Sequence, residues 1–488
     1  MQLNNIDYIV IGIFFLSMLL IGVYAYFKNQ SSEDFFVAGG HLPWWLSGIS
    51  HHVSGYSGAV FVAYAALAYT YGFSLYVWWA FTIGTAVIAS AKIFPVYWVR
   101  LRKKFQIQSP LEYLAIRYNV LTQQLIAWVG VTLKLFDVGA KWAAIAILLN
   151  VTTGISFTYG ILISGGVSLI YITIGGLWAV ILTDLAQFVV QLVAGITMFV
   201  VVLNRFEGWD SVFGIWNELP SENSQLFNDP YTVGFALVFL FINFLSYNGG
   251  SWPLATRYIS SNTEREASKA AYLSGLLYLI WPLILFFPMW AAPLILPGLE
   301  DPSESYGLLI QKLLPNGLIG MVIASLFANT MSMTSSDVNT ISAVITRDIL
   351  PVVSNKFKNK GTSLFTARIT TLVFTSLTIV IAFQYDYFGG VLGLIVTWFG
   401  ALLGPIAVPL LFGLIPIFKT CGPRAAISSV LAGLVAFTIT KLTSMDSMAL
   451  EVGLPVMVSM LVFCIFGWLL KEPVSKEVND LEAAIANR

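Results

Sequence analysis

The chain has 488 residues, of which 57% are hydrophobic and 10% are charged, whereas an ordinary soluble domain is about 25% charged. Its 25 basic residues equal its 25 acidic residues in number, so no net charge attracts nucleic acid. The two cysteines, Cys421 and Cys464, lack the spacing of a disulfide framework or a metal site. These numbers exclude a soluble, disordered or disulfide-stabilised protein and indicate a chain that crosses a membrane repeatedly.

Apolar segments of membrane-spanning length follow one another along the whole chain. A helix needs about 20 mostly apolar residues to cross the bilayer, which predicts an all-α integral membrane protein with about 13 transmembrane helices. The first segment has no basic stretch before it, so we expect a helix of the mature protein rather than a signal peptide. The predicted spans are residues 7–26, 45–71, 75–98, 120–150, 157–174, 177–203, 232–255, 270–297, 316–349, 362–384, 388–417, 424–442 and 450–470.

The basic residues predict the orientation of these spans. Most Lys and Arg residues fall in the loops after odd-numbered spans, for example Arg100, Lys103 and Arg257, while the opposite loops are acidic. Because cytoplasmic loops carry the excess of positive charge, we expect the N-terminus outside and the C-terminus in the cytoplasm, with the chain in the plasma membrane. The acidic outer loops either reflect this sorting alone or form a weak funnel for cations.

Two spans contain helix-breaking residues at corresponding positions. The second span has Gly55 and Gly58 in a stretch rich in Ser and His, and the seventh has Gly249, Gly250 and Pro253. Glycine and proline weaken a helix, and unwound backbone at membrane depth is tolerated only where it lines a cavity or a bound ion. The alternative is that these glycines only allow close helix packing. We expect two broken helices that bind the transported species.

The broken spans also predict the domain organisation. Each begins a unit of five helices, and the odd number of helices in the first unit inverts the second unit in the membrane. The predicted parts are an N-terminal extra helix and linker (1–44), a first five-helix repeat (45–203), an extracellular loop (204–231), a second, inverted repeat (232–417), and C-terminal helices with a cytoplasmic tail (418–488).

Ionisable residues inside the spans are costly and are therefore candidates for function. Lys134, Asp137 and Lys141 lie on one helical stripe. Asp137 and Lys141 either neutralise each other or leave Lys141 to anchor an anionic or hydroxyl-rich solute. Asp184 has no basic residue within two turns, which predicts protonation or a bound cation. Asp337 ends a hydroxyl-rich segment that offers sodium the oxygen ligands preferred by hard cations.

Other classes of function find less support. The three histidines, His41, His51 and His52, have no further ligand residues nearby, so a gate, a solute contact or simple packing is expected rather than a metal site. No convergent acid, base or metal-binding residues predict an enzyme. A channel would need a continuous polar pore, which these sparse polar residues do not provide.

Three motifs accompany these spans. They read Glu33-Asp34-Phe35-Phe36-Val37-Ala38-Gly39-Gly40 with Pro43-Trp44-Trp45; Tyr171-x-x-x-Gly175-Gly176-Leu177-Trp178-Ala179-Val180-x-x-Thr183-Asp184-x-x-Gln187; and Met331-Ser332 through Asn339 to Thr346-Arg347-Asp348-Ile349. In this order the motifs resemble those of the sodium/solute symporter family, which holds sodium-coupled sugar, proline and sialic acid carriers. The resemblance covers nearly the whole chain and implies the leucine-transporter-type 5+5 inverted-repeat fold with alternating access.

The resemblance also implies where sodium binds. The family's shared site corresponds to the carbonyls of Ser50, Val53 and Asn329 and the hydroxyl of Ser332. Met333 replaces the hydroxyl that the family usually has next, so Ser335 or Ser336 substitutes or the site has one ligand fewer. Asp184 matches a carboxylate that some members use near a second sodium, and Ser335 and Asp337 are close enough in sequence to join it. One or two sodium ions per cycle remain open.

The resemblance gives less about the solute. Tyr247 matches an aromatic gate of sugar carriers, but the polar residues that bind galactose in a bacterial relative are matched by Ser57, Trp79 (or Tyr76) and Tyr278. Aromatic rings with hydroxyls and amides fit a neutral polyhydroxylated ligand, whereas Lys141 would fit a carboxylate. Trp78 and Trp79 could equally form an interfacial belt. The residues expected to line the cavity are Ser54, Tyr56, Ser57, Trp78, Trp79, Lys141, Asn243, Tyr247 and Asn248.

Taken together, the sequence predicts a monomeric sodium-coupled symporter that imports a small polar solute, most simply a sugar or polyol. It predicts no cofactor other than sodium as coupling ion, and no nucleic-acid partner. The alternatives are a carboxylate or amino acid anchored by Lys141, and proton coupling through Asp184 or Asp337.

Overall fold

The structure is a computed structural model that describes residues 3–206, 208–358, 363–384, 403–443 and 448–486. Across these residues the backbone is helical, with two isolated β-bridges and no strands. Eight helices in the described part are long and apolar enough to cross a membrane, or nine if the pair Tyr76–Ser90 and Phe94–Phe105, bent by 52°, is one span. The all-α membrane class is thus confirmed, but the count of about 13 spans is not. Most of the predicted span 388–417 lies outside the described residues.

Short helices and one bent span make up the first part of the chain. A π-helical turn, Tyr76–Phe81, leads into α5, and the break before α6 redirects the chain. The helices are α1 (Asn5–Tyr26), α2 (Ser32–Val37), α3 (Trp44–Val53), α4 (Ala63–Tyr71), α5 (Thr82–Ser90), α6 (Phe94–Phe105), α7 (Glu112–Arg117), α8 (Val120–Thr153) and α9 (Phe157–Arg205).

The second part of the chain repeats the alternation of long and short helices. A second π-helical turn, Ser246–Gly250, joins α11 to α12, and a third, Ile345–Ile349, extends α16. The helices are α10 (Ser211–Glu218), α11 (Val233–Leu245), α12 (Trp252–Ile259), α13 (Glu264–Trp290), α14 (Ala292–Ile295), α15 (Ser305–Leu313), α16 (Leu318–Val344), α17 (Leu350–Val353), α18 (Asn355–Lys358), α19 (Leu364–Ala382), α20 (Gly404–Phe412), α21 (Pro423–Leu442), α22 (Met448–Leu470) and α23 (Lys476–Ala486).

Helix α9 is two spans joined at one glycine. Its 49 residues would measure about 74 Å, more than twice the roughly 30 Å of hydrocarbon. Gly176 leaves the helical region with φ 50° and ψ −147°, and its α-carbon packs so closely on Phe35 that a β-carbon would lie 2.6 Å from the ring. The break falls between the predicted spans 157–174 and 177–203.

Both predicted broken helices are present. Helix α3 ends at Val53, and a non-helical stretch with a short 3-10 turn precedes α4. Helix α11 passes through the Ser246–Gly250 turn, where Gly249 has φ 130°, before α12 begins. Both breaks carry buried polar side chains, Ser54 directly after α3 and Asn248 in the Ser246–Gly250 turn.

Helix α16 forms the centre of the described structure. It is buried along nearly its whole length and packs along α9, α1 and α8. The carboxylate of Asp7 in α1 accepts hydrogen bonds from the backbone N–H groups of Gly317 and Gly320, at 2.7 and 2.8 Å. Asp7 therefore satisfies donors at the start of α16 that would otherwise be unpaired, and it ties the extra N-terminal helix to the core.

Candidate cation site and solute region

Two helices, α3 and α16, bring hydroxyls to a buried carboxylate on a third, α9. The Asp184 side chain, in the second half of α9, is fully buried. Ser50 and Ser54, at the broken end of α3, donate hydrogen bonds to its Oδ2 at 2.5 and 3.2 Å. Ser332 of α16 donates to Oδ1 at 2.6 Å. The unwinding after α3 lets both serines of that helix reach the carboxylate.

The positive charge in this cluster comes from Arg257 of α12. Its Nη2 lies 3.2 Å from Asp184 Oδ2, and its side chain is fully buried. Its Nε donates to Ser50 Oγ at 2.9 Å, and Nη2 donates to Ser54 Oγ at 3.0 Å and also to Ser336 Oγ. We call Ser50, Ser54, Asp184, Arg257, Ser332 and Ser336 the inner cation site.

Two expectations about Arg257 and Asp184 were wrong. Arg257 is not in a cytoplasmic loop, because the broken seventh span continues as α12 and carries Arg257 into the bundle. Asp184 is not an unpaired carboxylate, because its partner comes from a helix 73 residues further along the chain. The spacing of residues along one helix cannot reveal a partner on another helix. The sequence did offer one signal: Arg257 follows Pro253 of the seventh predicted span by four residues.

The other predicted sodium ligands, Val53, Asn329 and Ser335, lie on α3 and α16, the helices that carry the serines of this site. Val53 is the last residue of α3, and Ser335 donates to the carbonyl of Ser332 at 3.1 Å. The Asn329 amide donates to the Ser325 carbonyl at 2.9 Å, while its Oδ1 has no hydrogen-bond partner. Sodium coordination by these residues stays a prediction.

Asp337 belongs to a second charged cluster. Lys134 contacts Asp137 and Asp337 at 2.8 and 2.6 Å, and Lys141 contacts the same two carboxylates at 2.7 and 2.8 Å. We call these four residues the charge quartet. All four are at least 96% buried, and their charges cancel. The structure thus extends the predicted Asp137–Lys141 pair, and Asp337 makes its ion pairs with the two lysines.

Aromatic side chains gather between the two helix breaks. Tyr247 donates to the Gly55 carbonyl and Tyr278 to the His52 carbonyl, both at 2.8 Å. Tyr56 donates to Gln191 Oε1 at 3.0 Å. We call Tyr56, Trp79, Tyr247 and Tyr278 the aromatic cluster; ring centroids lie 6.1 Å apart for Tyr56–Trp79 and 5.2 Å for Tyr247–Tyr278.

Other predicted solute residues have partners in the helix packing. Trp78 stacks on Tyr231 with ring centroids 5.3 Å apart. Asn243 donates to Thr82 at 2.8 Å. Asn248 accepts from Ser90 at 2.6 Å, and its own amide donates to the Phe244 carbonyl at 2.8 Å. Ser57 is half-buried in the stretch after α3. These contacts hold the breaks in place, and a role in solute binding stays a prediction.

The two buried histidines also pack against the break. His51 Nδ1 lies 2.7 Å from Ser274 Oγ, and Nε2 lies 3.2 Å from the Tyr247 carbonyl. His52 is surrounded by rings, with the Tyr278 centroid 4.4 Å away. Among the described residues, no three His, Cys, Asp or Glu side chains are grouped closely enough to hold a metal ion.

A family model described as the Sodium:solute symporter family matches residues 35–433. The chain belongs to this family. The sodium/sialic acid symporter NanT of Aliivibrio fischeri is 28% identical over 72% of this chain and 71% of its own length. The sodium/glucose cotransporter of Vibrio parahaemolyticus is 26% identical over 71% and 69%, and the sodium-coupled monocarboxylate transporter 1 of Xenopus laevis is 24% identical over 88% and 70%.

Solved structures agree on the fold. A Na+-coupled sialic acid symporter in a substrate-bound, outward-open state aligns with a TM-score of 0.81 and 22% identity, covering 96% of this chain and 98% of that one. Mhp1, a nucleobase-cation symporter, aligns with a TM-score of 0.58. The predicted leucine-transporter-type fold is confirmed. The chain is a sodium-coupled symporter of a small solute in a membrane, uses Na+ as its coupling ion and is not an enzyme.

Proposed function

We propose that the sodium ion binds at the inner cation site and that the solute is a sugar or polyol bound at the aromatic cluster. The observation that carries the sodium assignment is the convergence of Asp184 with hydroxyls from α3 and α16. Sodium is a hard cation that prefers oxygen ligands, by analogy with calcium and magnesium. Carboxylate and hydroxyl oxygens are the only acceptors that these side chains offer.

The position of this site supports coupling to transport. Ser50 lies near the end of α3 and Ser54 directly after it, so a cation at Asp184 would contact the first broken helix. Arg257, which follows the second break, pairs with the same carboxylate in this structure, so the site also involves the second broken helix. In inverted-repeat transporters the broken helices form the sites for substrate and ion. An ion bound here would favour one arrangement of α3, α12 and α16 over another, as alternating access requires.

The choice of a neutral solute follows from the charge quartet. Lys141 already contacts the carboxylates of Asp137 and Asp337, and the four charges sum to zero. To bind a solute carboxylate, Lys141 would have to give up one of these buried partners. The aromatic cluster offers ring faces and hydroxyl groups instead, which suit the alternating apolar and hydroxyl surfaces of a sugar or polyol.

A carboxylated sugar is the second candidate. Two relatives are named as sodium/sialic acid symporters, at 28% and 26% identity, whereas the named glucose cotransporter is 26% identical. For such a solute the carboxylate would replace Asp137 or Asp337 on a lysine of the charge quartet. The monomeric state, the orientation of the termini and the five-part domain division remain predictions alongside these proposals.

Transport by purified protein in liposomes tests both assignments. Uptake of labelled sugars, polyols, sialic acid, amino acids and monocarboxylates is measured under an inward gradient of sodium, of potassium or of protons. We expect sodium-driven uptake of a sugar or polyol. Uptake of sialic acid alone would replace the solute with the second candidate. Uptake driven by protons and indifferent to sodium would overturn the sodium assignment at Asp184.

A further inference from the structure

We propose that Arg257 is a tethered competitor of sodium: its guanidinium fills the inner cation site when sodium leaves and is displaced when sodium binds. The proposal rests on the sodium assignment above and adds a residue that sets when the site accepts the ion. It concerns the one buried basic side chain that the inner cation site contains.

The charge of the site allows one monovalent cation at a time. Asp184 is the only carboxylate that the guanidinium of Arg257 contacts among the described residues, and both side chains are fully buried. A sodium ion added beside the existing pair would leave one uncompensated positive charge in the interior, which is strongly unfavourable. Sodium and the guanidinium are therefore alternatives, because each of them alone neutralises Asp184.

The serine hydroxyls point their lone pairs at Arg257, as they would point them at a sodium ion. Ser50 and Ser54 donate their protons to Asp184 Oδ2 and accept hydrogen bonds from the guanidinium with their lone pairs. Ser336 donates to the Ser332 carbonyl at 2.8 Å and likewise accepts from Arg257. The proton directions that suit the guanidinium also suit a metal ion, since both need lone pairs pointing at a positive charge.

The exchange of sodium for the guanidinium changes how α12 is bonded to its neighbouring helices. Arg257 sits in the half-helix that follows the second break, and its carbonyl accepts from Ser47 Oγ of α3 at 3.0 Å. Its guanidinium bonds α12 to α3, α9 and α16 at once. When sodium takes the place of the guanidinium, these side-chain bonds are lost together. The bonds from Ser47 to the Arg257 carbonyl and between Thr256 and Thr340 remain, so α12 is held less tightly but stays attached to α3 and α16.

The exchange explains how the carrier can change conformation with neither sodium nor solute bound. Asp184 without a cation would be a buried, unpaired carboxylate, and moving it through the closed protein would be costly. Arg257 supplies the missing charge from within the chain, so the return step needs neither a potassium ion nor a proton. Asp184 is then neutralised by one cation in the return step, as it is when sodium is bound.

Removal of the guanidinium tests the proposal. In Arg257→Gln, sodium no longer competes with a tethered cation, so the sodium dissociation constant measured with labelled sodium should fall about tenfold, within the usual range of coupling between sites. Solute exchange with saturating sodium on both sides should persist, because it bypasses the return step. Net uptake should fall by more than tenfold.

Controls separate this role from a structural one. Lys103→Gln removes one positive charge from an ion pair with Glu264 and should leave sodium affinity unchanged, while Arg257→Lys should keep net uptake. A weaker or unchanged sodium affinity in Arg257→Gln would overturn the proposal. If the wild-type protein binds no sodium, the sodium assignment itself fails. If the wild-type protein binds sodium but Arg257→Gln does not bind it more tightly, the sodium assignment stands and competition by Arg257 is excluded.

Amide hydrogen exchange of the wild-type protein tests the proposal even if Arg257→Gln does not fold. Amide hydrogen exchange in α12 is compared with and without sodium in the full-length protein. Release of the guanidinium predicts faster exchange of Trp252–Ile259 when sodium is added. Slower or unchanged exchange there, at a concentration where labelled sodium is bound, would contradict displacement of Arg257.

Discussion

The buried carboxylates Asp137, Asp184 and Asp337 are each paired with buried basic side chains. Asp184 is balanced by one arginine, and Asp137 and Asp337 by two lysines. Breaking a buried pair usually costs more than the pair contributes, because the remaining charge is left without a partner. A substitution that removes one charge of a pair should therefore lower the free energy of unfolding much more than a double substitution that removes both charges.

The charge quartet permits such a comparison. Lys141→Met leaves Asp137 and Asp337 with one lysine, and we expect the free energy of unfolding to drop by about 3–5 kcal/mol. The double variant Lys141→Met with Asp137→Asn restores neutrality and should recover most of that loss. Thermal unfolding in detergent measures both. Equal loss in the single and double variants would show that packing rather than charge governs this cluster.

The sodium assignment makes its own prediction at Ser332. Ser332→Ala removes the hydroxyl that lies 2.6 Å from Asp184, so the sodium concentration for half-maximal uptake should rise several-fold, as for loss of one hydrogen bond to a charged group. Ser342→Ala is the matched control, because Ser342 is equally buried on α16 but lies away from the inner cation site. An effect of similar size in both variants would move the site elsewhere.

The sequence could identify these charged residues but not their partners. Asp184, Lys141 and Asp337 stand out because they interrupt apolar runs, and that signal is local. Their partners depend on how helices far apart in sequence pack. Arg257 shows the limit most clearly: its position at the end of a predicted span looked like a loop, and only the continuation of that span as α12 places it beside Asp184.

Helices in this protein are shaped by glycines that act locally. Gly176 divides α9, and Gly249 sets the second break, both with backbone angles that side chains rarely adopt. Because such residues act on their own segment, the sequence predicted the two broken helices and the division near residue 175. It did not predict the π-helical turns Tyr76–Phe81 and Ile345–Ile349 or the 52° bend before α6.

Gly249→Ala should disturb the second break. Gly249 has φ 130°, and a β-carbon there would lie 2.8 Å from the Trp98 indole, so both the backbone angle and the space oppose the change. We expect a loss of about 1–3 kcal/mol in unfolding free energy and impaired sodium-driven uptake. Gly12→Ala in α1 is the control, since no atom lies within 4 Å of its β-carbon position. Unimpaired uptake in Gly249→Ala would argue against a functional break.

The whole molecule is a bundle of helices in which the proposed ion site and the proposed solute site involve the same broken helices. The composition and the motifs together were enough to predict the membrane class, the inverted-repeat fold and the family. The count of about 13 spans stays a prediction, because α9 holds two of the predicted spans in one helix and most of the predicted span 388–417 lies outside the described residues. If both proposed sites are correct, sodium and solute influence each other through these shared helices.

This arrangement predicts reciprocal coupling at equilibrium. If sodium raises the affinity for solute by some factor, solute must raise the affinity for sodium by the same factor, since both paths end in the same ternary complex. We expect a factor of about 5–150 when solute binding is titrated at zero and at saturating sodium, and sodium binding at zero and at saturating solute. Asp184→Asn removes the charge that sodium needs and should abolish sodium binding, and solute affinity should then be the same with and without sodium. Residual sodium dependence in that variant would place the coupling ion at another site, for which the hydroxyls around Asn329 and Ser335 are the nearest alternative in α16.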